Sequence, residues 1–191
     1  REVVGDILGD YQVTERVVTR GKLLAPIAPT DILCIGANYR KHIEESGPSA
    51  PQAPVLFIKP TSALQNPGDP IEIPVKLASH EVDYEGELAI VIGKRCKNAT
   101  RANALDFVLG YTCANDVTAR DWQKKLGGGQ WCTGKGFDTF CPLGPVLVTR
   151  DEIANPNDLR IKTTVSGDVR QDWTTGGMIA DVPALIEFLS S

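Results

Sequence analysis

The chain has 191 residues, 42% of them hydrophobic and 23% charged, which suits a soluble globular protein with one good core and at most a small appendage. A net charge of −4 with mixed signs provides no basic footprint, which argues against nucleic acid as a main partner. No apolar run approaches the ~20 residues needed to cross a bilayer, and the N-terminus lacks a signal-peptide core, so no membrane partner is expected and a cytoplasmic or matrix location follows.

Five cysteines, Cys34, Cys96, Cys113, Cys132 and Cys141, are odd in number and form no CxxC pair. They read as free thiols in a reducing compartment. With only His42 and His80, a histidine-rich zinc or iron site is disfavoured. Any metal must rest on oxygen ligands, which selects magnesium, manganese or calcium.

Residues 1–30 hold short alternating pieces such as Tyr11 to Val18, broken by Gly and ended by Pro26 and Pro29, and predict a small β segment leading into the main domain. The lack of an initiator Met suggests that the numbering begins inside a longer product. Asp31 to Gly36 is a short apolar strand, followed by a helical turn that Asn38 can cap and Gly47 ends. On that turn His42 and Glu45, three apart, share a side, as a base and the carboxylate that orients it would. An exposed helical salt bridge is the plain alternative. The segment 47–54, GPSAPQAP, is a flexible connector that would let the short helix act as a lid.

Pro54 to Pro60 reads as a buried strand with Lys59 at its end, and Asn66 to Pro70 as a tight loop. Leu88 to Ile92 is a continuous apolar run stopped by Gly93, the pattern of a strand buried on both faces. Just before it, Glu85 and Glu87 stand two apart. Period-two alternation puts them on one face, on the order of 7 Å apart. Two anions at the mouth of a buried strand repel each other and resist desolvation unless a cation joins them, so a metal is the economical explanation. Solvated glutamates on an edge strand are the other.

Thr100 can cap a helix over 101–108. Gly110 to Asp116 reads as a strand ending in an acid, with a helix from about Thr118. Asp116 then sits at a strand-to-helix corner, either as a site residue or as an N-cap. The glycine loop 126–131 lacks the GK[ST] ending of a phosphate-binding loop. Lys135, between Gly134 and Gly136, could approach a ligand closely. A strand over about 144–148, a hairpin through Ser166-Gly167-Asp168, and a final helix capped by Asp181 with Pro183 in its first turn complete the chain.

The segments GANYRKHIEE, DYEGELAIVIG, NDVTARDWQ and TGKGFDTFCPLGP together resemble the fumarylacetoacetate hydrolase family, from about Asp31 to the C-terminus. The resemblance implies an α+β, mainly β fold, a layered mixed β-roll or β-sandwich with few short helices, often dimeric, so a homodimer is expected. It divides the chain into a small N-terminal β segment, 1–30, and a catalytic domain, 31–191, that lacks the family's last strands and their T-G-T-P segment. It implies a divalent metal, usually magnesium, on Glu85, Glu87 and Asp116, with manganese or calcium as alternatives. Lys135, His42 and Glu45 would be catalytic, and Gln123 and Arg120 would hold the substrate.

Such a site would grip a small 2-oxo acid by its keto and carboxylate oxygens and stabilise its enolate. Hydrolytic C–C cleavage of an acylpyruvate-like 1,3-diketo acid is the first expectation. Oxaloacetate tautomerisation or decarboxylation is the alternative, and a non-catalytic truncated paralogue or scaffold is the competing class. Carboxylates that point apart, or a lysine or arginine seated where the ion belongs, would remove the basis of the catalytic reading.

Overall fold

A computed structural model describes residues 1–191 apart from Arg20 and Pro48, and only the backbone of Ser46. Pro48 belongs to the expected connector 47–54 and Arg20 to the N-terminal segment, so those positions lie outside the described residues. In chain order the elements are β1 (Val3–Gly5), β2 (Tyr11–Val13), β3 (Ile32–Gly36), α1 (Arg40–Ser46), β4 (Val55–Lys59), β5 (Leu64–Gln65), β6 (Val82–Asp83), β7 (Gly86–Ile92) and β8 (Val108–Asn115). They continue with β9 (Thr118–Ala119), α2 (Trp131–Lys135), β10 (Cys141–Pro142), β11 (Val148–Thr149), β12 (Arg160–Val165), β13 (Asp168–Thr174) and α3 (Val182–Ser190). Helices are few and strands many, in line with the mixed, strand-rich reading.

The central ladder is antiparallel: β7 pairs with β8 from Gly86 opposite Asn115 to Ile92 opposite Val108, and β11 joins the far side of β8. Its apolar face carries the main core, in which Tyr111 and Val108 meet Ala99, Ala104, Val182 and Ile186. Val182, Leu185 and Ile186 recur at helical spacing on α3, which lays that stripe against the sheet. Asp181 caps α3 as expected: its side chain accepts from the Ala184 amide at 3.0 Å, and proline occupies the first turn.

Where β7 and β8 end, the two chains continue as a second short antiparallel pair, β6 with β9. The junction is held by the Asp116 amide donating to the Glu85 carbonyl at 2.8 Å and the Val117 amide to Phe140 O at 3.1 Å. Beneath it lie Val117, Ala119 and Phe140, with Val82, Trp122 and Phe137 packed around them. Asp116 thus leaves the sheet edge on a floor of buried apolar residues. β3 and β4 form their own antiparallel pair, and β12 and β13 form the expected hairpin, with an irregularity between Thr163 and Thr164.

Several local expectations differ from what the chain adopts. Asn38 does not cap α1; its side chain donates to Ala180 O and accepts from the Ala180 amide, both at 2.9 Å, so it serves tertiary contact and Tyr39 stands at the helix start without a side-chain cap. Gly47 does end the helix in the left-handed conformation. The helix expected over 101–108 is only a 3-10 turn, Ala104–Phe107, because Asn103 accepts from both Thr100 N and Thr100 Oγ1 and holds the preceding residues in a turn. The helix expected from Thr118 starts at Trp122, since residues 118 and 119 pair with β6; it is a π-helical turn capped by Asp121, and Asp116 has no capping role. Lys135 ends the short helix α2 rather than lying in a glycine turn, and the strand expected over 144–148 is the short β11. β7 is less enclosed than its composition predicts: Val91 is buried, while Ile92 is exposed.

Candidate functional site

The corner between β8 and β9 gathers the charged residues. Asp116 is buried, and each of its oxygens meets a lysine: Lys59 Nζ lies 2.6 Å from Oδ1, and Lys135 Nζ 2.6 Å from Oδ2. The lysines are only 1% and 2% exposed at their side chains, a burial that charged groups tolerate only when paired. Lys59 completes its set on Val117 O at 3.1 Å, and Lys135 on Thr118 Oγ1 at 2.7 Å and Glu85 Oε2 at 2.9 Å. The Phe57 ring, 5.0 Å from Lys135 Nζ, shields that ammonium from water. Gly134 makes this reach possible, because a Cβ there would collide with Gln123 N and Ala119 O and push α2 off the corner.

Glu85 is the second shared carboxylate. Lys135 takes one oxygen, and Arg120 Nη1 meets the other at 2.7 Å. Arg120 also donates through Nε and Nη2 to Asp83 Oδ2 at 3.0 and 2.8 Å, and through Nη1 to Gln123 Oε1 at 3.1 Å. Arg120 and Gln123, expected to hold substrate, are therefore already engaged with each other, and the guanidinium orients Glu85.

Glu87 differs from both. Among the described residues no side chain pairs with its carboxylate. Burial, then the charges of Glu85 and Asp116, push its pKa up to about 8, against the opposing pull of Lys135. Asp116 goes the other way: burial works against its charge, but Lys59 and Lys135 outweigh burial and hold it below the usual carboxylate range. Arg120 is raised despite burial, by Glu85 and Asp83. Four carboxylates thus face three cations, with the shortfall at Glu87.

The three expected metal ligands fall in one neighbourhood, yet Lys135 bridges two of them, and among the described residues no three acidic, histidine or cysteine side chains are arranged around one ion-sized point. A lysine is thus seated between Glu85 and Asp116, the arrangement named above as removing the basis of the catalytic reading, and an ion on these two carboxylates would have to share them with Lys135. The donor type alone, carboxylate oxygen, suits a hard divalent cation. All donors are carboxylate oxygens, each paired oxygen of Glu85 and Asp116 keeps a further lone pair, and Glu87 has no cation of its own.

The lid residues stand apart. His42 and Glu45 are exposed on α1, and no hydrogen bond joins them. The His42 ring lies 6.3 Å from Trp173, and Tyr39 lies 6.1 Å from the same indole. Burial first, then the Glu87 charge, raises the Tyr39 hydroxyl. Sequence reasoning overlooked Lys59, Thr118 and Trp173. A lysine closing an otherwise apolar strand before Pro60 was the available signal for the first.

The chain presents a strand-rich α+β fold with a buried carboxylate–ammonium centre at the β8–β9 corner. Residues 31–191 match the profile described as Fumarylacetoacetate (FAA) hydrolase C-terminal, and the chain belongs to that family. It is 51% identical over 169 residues to the mitochondrial oxaloacetate tautomerase fahd2 of Xenopus laevis, covering 88% of this chain and 52% of that protein. It is 44% identical to human mitochondrial oxaloacetate tautomerase FAHD2A, covering 87% of this chain and 53% of that protein. The chain spans about half the length of these two relatives. Among solved structures it resembles 2-hydroxyhepta-2,4-diene-1,7-dioate isomerase from Mycobacterium marinum, with a TM-score of 0.86, 43% identity, and coverage of 100% of this chain and 69% of that one. It also resembles fumarylacetoacetate hydrolase from Exiguobacterium antarcticum, with a TM-score of 0.80, 42% identity, and coverage of 91% and 62%.

Proposed function

We propose that this chain carries the catalytic centre of an enzyme that moves a proton on a small 2-oxo acid, with oxaloacetate keto–enol tautomerisation as the reaction it fits best. The observation carrying this reading is the Lys135 ammonium held between Glu85 and Asp116, with Lys59 fixing Asp116 from the other side. In such a reaction a proton leaves the carbon beside the keto group, and negative charge grows on the keto oxygen. A buried ammonium stabilises that charge once one of its three hydrogens, now taken by Glu85, Asp116 and Thr118, turns to the keto oxygen.

Glu85, Glu87 and Asp116 would hold a divalent cation, magnesium first and manganese or calcium next, whose Lewis acidity would add to the same stabilisation. Gln123, set by Arg120, would orient the distal carboxylate of the substrate. His42 on α1 would carry the proton, with Glu45 as its orienting carboxylate once the lid helix lies over the substrate. The layered β-roll of the family is the arrangement we assign to these sheets.

The tautomerase names of the two curated relatives and the isomerase name of one structural neighbour support proton transfer over cleavage. Hydrolysis of an acylpyruvate is the second reading. It is favoured by the exposure of His42, which leaves the imidazole open to the water that cleavage requires.

The test follows the ultraviolet absorbance of the oxaloacetate enol with magnesium present, beside carbon dioxide release and acetylpyruvate cleavage. We expect accelerated enol loss without either of the other two outcomes, and loss of both turnover and magnesium binding in Glu85→Ala and Asp116→Ala. Cleavage of acetylpyruvate alone would move the assignment to the second reading. Metal held at wild-type affinity by both variants would rule out the proposed centre.

A further inference from the structure

The two glutamates of the site are separated by Gly86, and that glycine is gripped from outside the strand. The Gly86 amide donates to Gln171 Oε1 at 2.7 Å, and Gln171 Nε2 faces Gly86 O at 3.4 Å, so one side-chain amide addresses both polar groups of that residue. A Cβ on Gly86 would run into Thr163 Oγ1 and stand 3.0 Å from Gln171 Oε1. The β12–β13 hairpin therefore lies directly on the peptide from which Glu85 and Glu87 diverge.

Two residues along the same strand comes Trp173, on the same inward face as Gln171, while Arg170, Asp172 and Thr174 are exposed. Trp173 packs against Tyr39 at 6.1 Å and His42 at 6.3 Å, and Lys41 Nζ lies 5.5 Å from its ring centre. All three partners sit on α1 or at its start. One strand face thus touches Gly86, between the two glutamates, through Gln171 and the lid helix through Trp173, on a hairpin paired on both sides of the irregularity between Thr163 and Thr164.

We propose that this hairpin is a positioning element shared by the two halves of the site: Gln171 sets the direction in which Glu85 and Glu87 project, and Trp173 seats α1 over them. Neither residue contacts the reacting atoms. The chemical consequence rests on the function proposed above, whereas the mechanical link does not.

The experiment compares wild type with Gln171→Met, which keeps length and bulk but removes the amide, and Trp173→Leu. Amide exchange of the chain, read by NMR without metal or substrate, tests the link. Gln171→Met is expected to raise exchange at Gly86 and also at the Ile43 and Gly47 amides, whose bonds close α1. Trp173→Leu is expected to raise exchange in α1 and at Gly86. Changes confined to the near side in both variants overturn the shared element.

Manganese(II) titration tests positioning. Gln171→Met should weaken manganese(II) about tenfold, the scale on which residues supporting metal ligands act, at temperatures far below its melting point. It should also lower kcat for oxaloacetate more than it raises KM. An unchanged manganese(II) affinity alongside a lowered Tm overturns the positioning role, since a purely structural contact behaves that way. If wild type neither binds manganese(II) nor consumes the enol, the proposed function fails, and the exchange comparison alone still decides the hairpin.

Discussion

Replacing Lys59 by Met is the sharpest perturbation of the electrostatic argument. The substitution keeps the stem and deletes the ammonium of a side chain 1% exposed, so Asp116 Oδ1 loses its 2.6 Å partner and Val117 O its 3.1 Å partner. Removing one partner of a buried pair costs about 3–5 kcal/mol, because the remaining charge is left uncompensated. Here Lys135 still holds Asp116 Oδ2 at 2.6 Å, which places the expected loss at the lower end, ~3 kcal/mol. For a chain of this size that is a fall in Tm of roughly 6–12 °C. Urea and thermal unfolding followed by circular dichroism measure it, with Asp116→Asn and the double variant closing a cycle. If the pair is the cause, the double variant is less destabilised than the sum of the singles by about 1–3 kcal/mol. A loss below ~1 kcal/mol, or strict additivity, would refute the claim that Lys59 is a required partner of Asp116.

The remaining expectations concern pH, thiols and metal. The Asp181 carboxyl, though burial opposes it, is held below its ordinary value by Arg101 and the Ala184 amide. A lowered folded pKa contributes stability that is full above the unfolded value near pH 4 and is lost as pH falls through the folded one, so Asp181→Ala should cost about 1 kcal/mol at pH 7 and less in acid. A pH-independent cost would contradict it. Burial, then the Asp116 charge, raises the Cys34 thiol, and burial raises Cys141, whereas Cys113 and Cys132 are exposed. Alkylation at pH 8 followed by mass spectrometry should therefore label Cys113 and Cys132 first, and early labelling of Cys34 would count against the structure of the corner. Because Lys59, Lys135 and Arg120 already neutralise most of the carboxylate charge, the chelator-treated chain should unfold cooperatively, and magnesium should add stability by mass action, ~2.7 kcal/mol at a hundredfold excess over Kd. Collapse of the fold on chelation would show that the cations are no substitute for an ion.

What the sequence disclosed and what it hid divide along the range of the interactions. The 160–174 hairpin and α3 rest on local chemistry, a Ser166-Gly167 turn between alternating runs and an Asp181 cap before Pro183, and both fold as read. The caps placed at Asn38 and Thr100 failed because each side chain had a competing partner, Ala180 across the fold for one and Asn103 for the other. The carboxylates that gather near the β8–β9 corner could be singled out because the 85/87 spacing and an acid at the end of a strand are one-dimensional facts, although β7 starts only at Gly86 and leaves Glu85 just outside it.

Their partners could not, because a pair such as Lys59 with Asp116 is fixed by the strand ladders that bring β4 to the β8–β9 corner, and no local pattern encodes that approach. Lys59 nevertheless left a trace. Period two puts Lys59 on the same face of β4 as the buried Phe57, opposite the exposed Leu56 and Ile58, so its charge had to be answered from inside the fold. The same reasoning explains Gly86. Between two glutamates a glycine gains nothing for the strand, and its presence marks a place where another part of the chain comes too close for a Cβ. That neighbour is the hairpin that also reaches the lid. Unmatched charge in an apolar strand and an unneeded glycine between charged residues are thus both local signs of a distant contact, and in this chain both lead to the site.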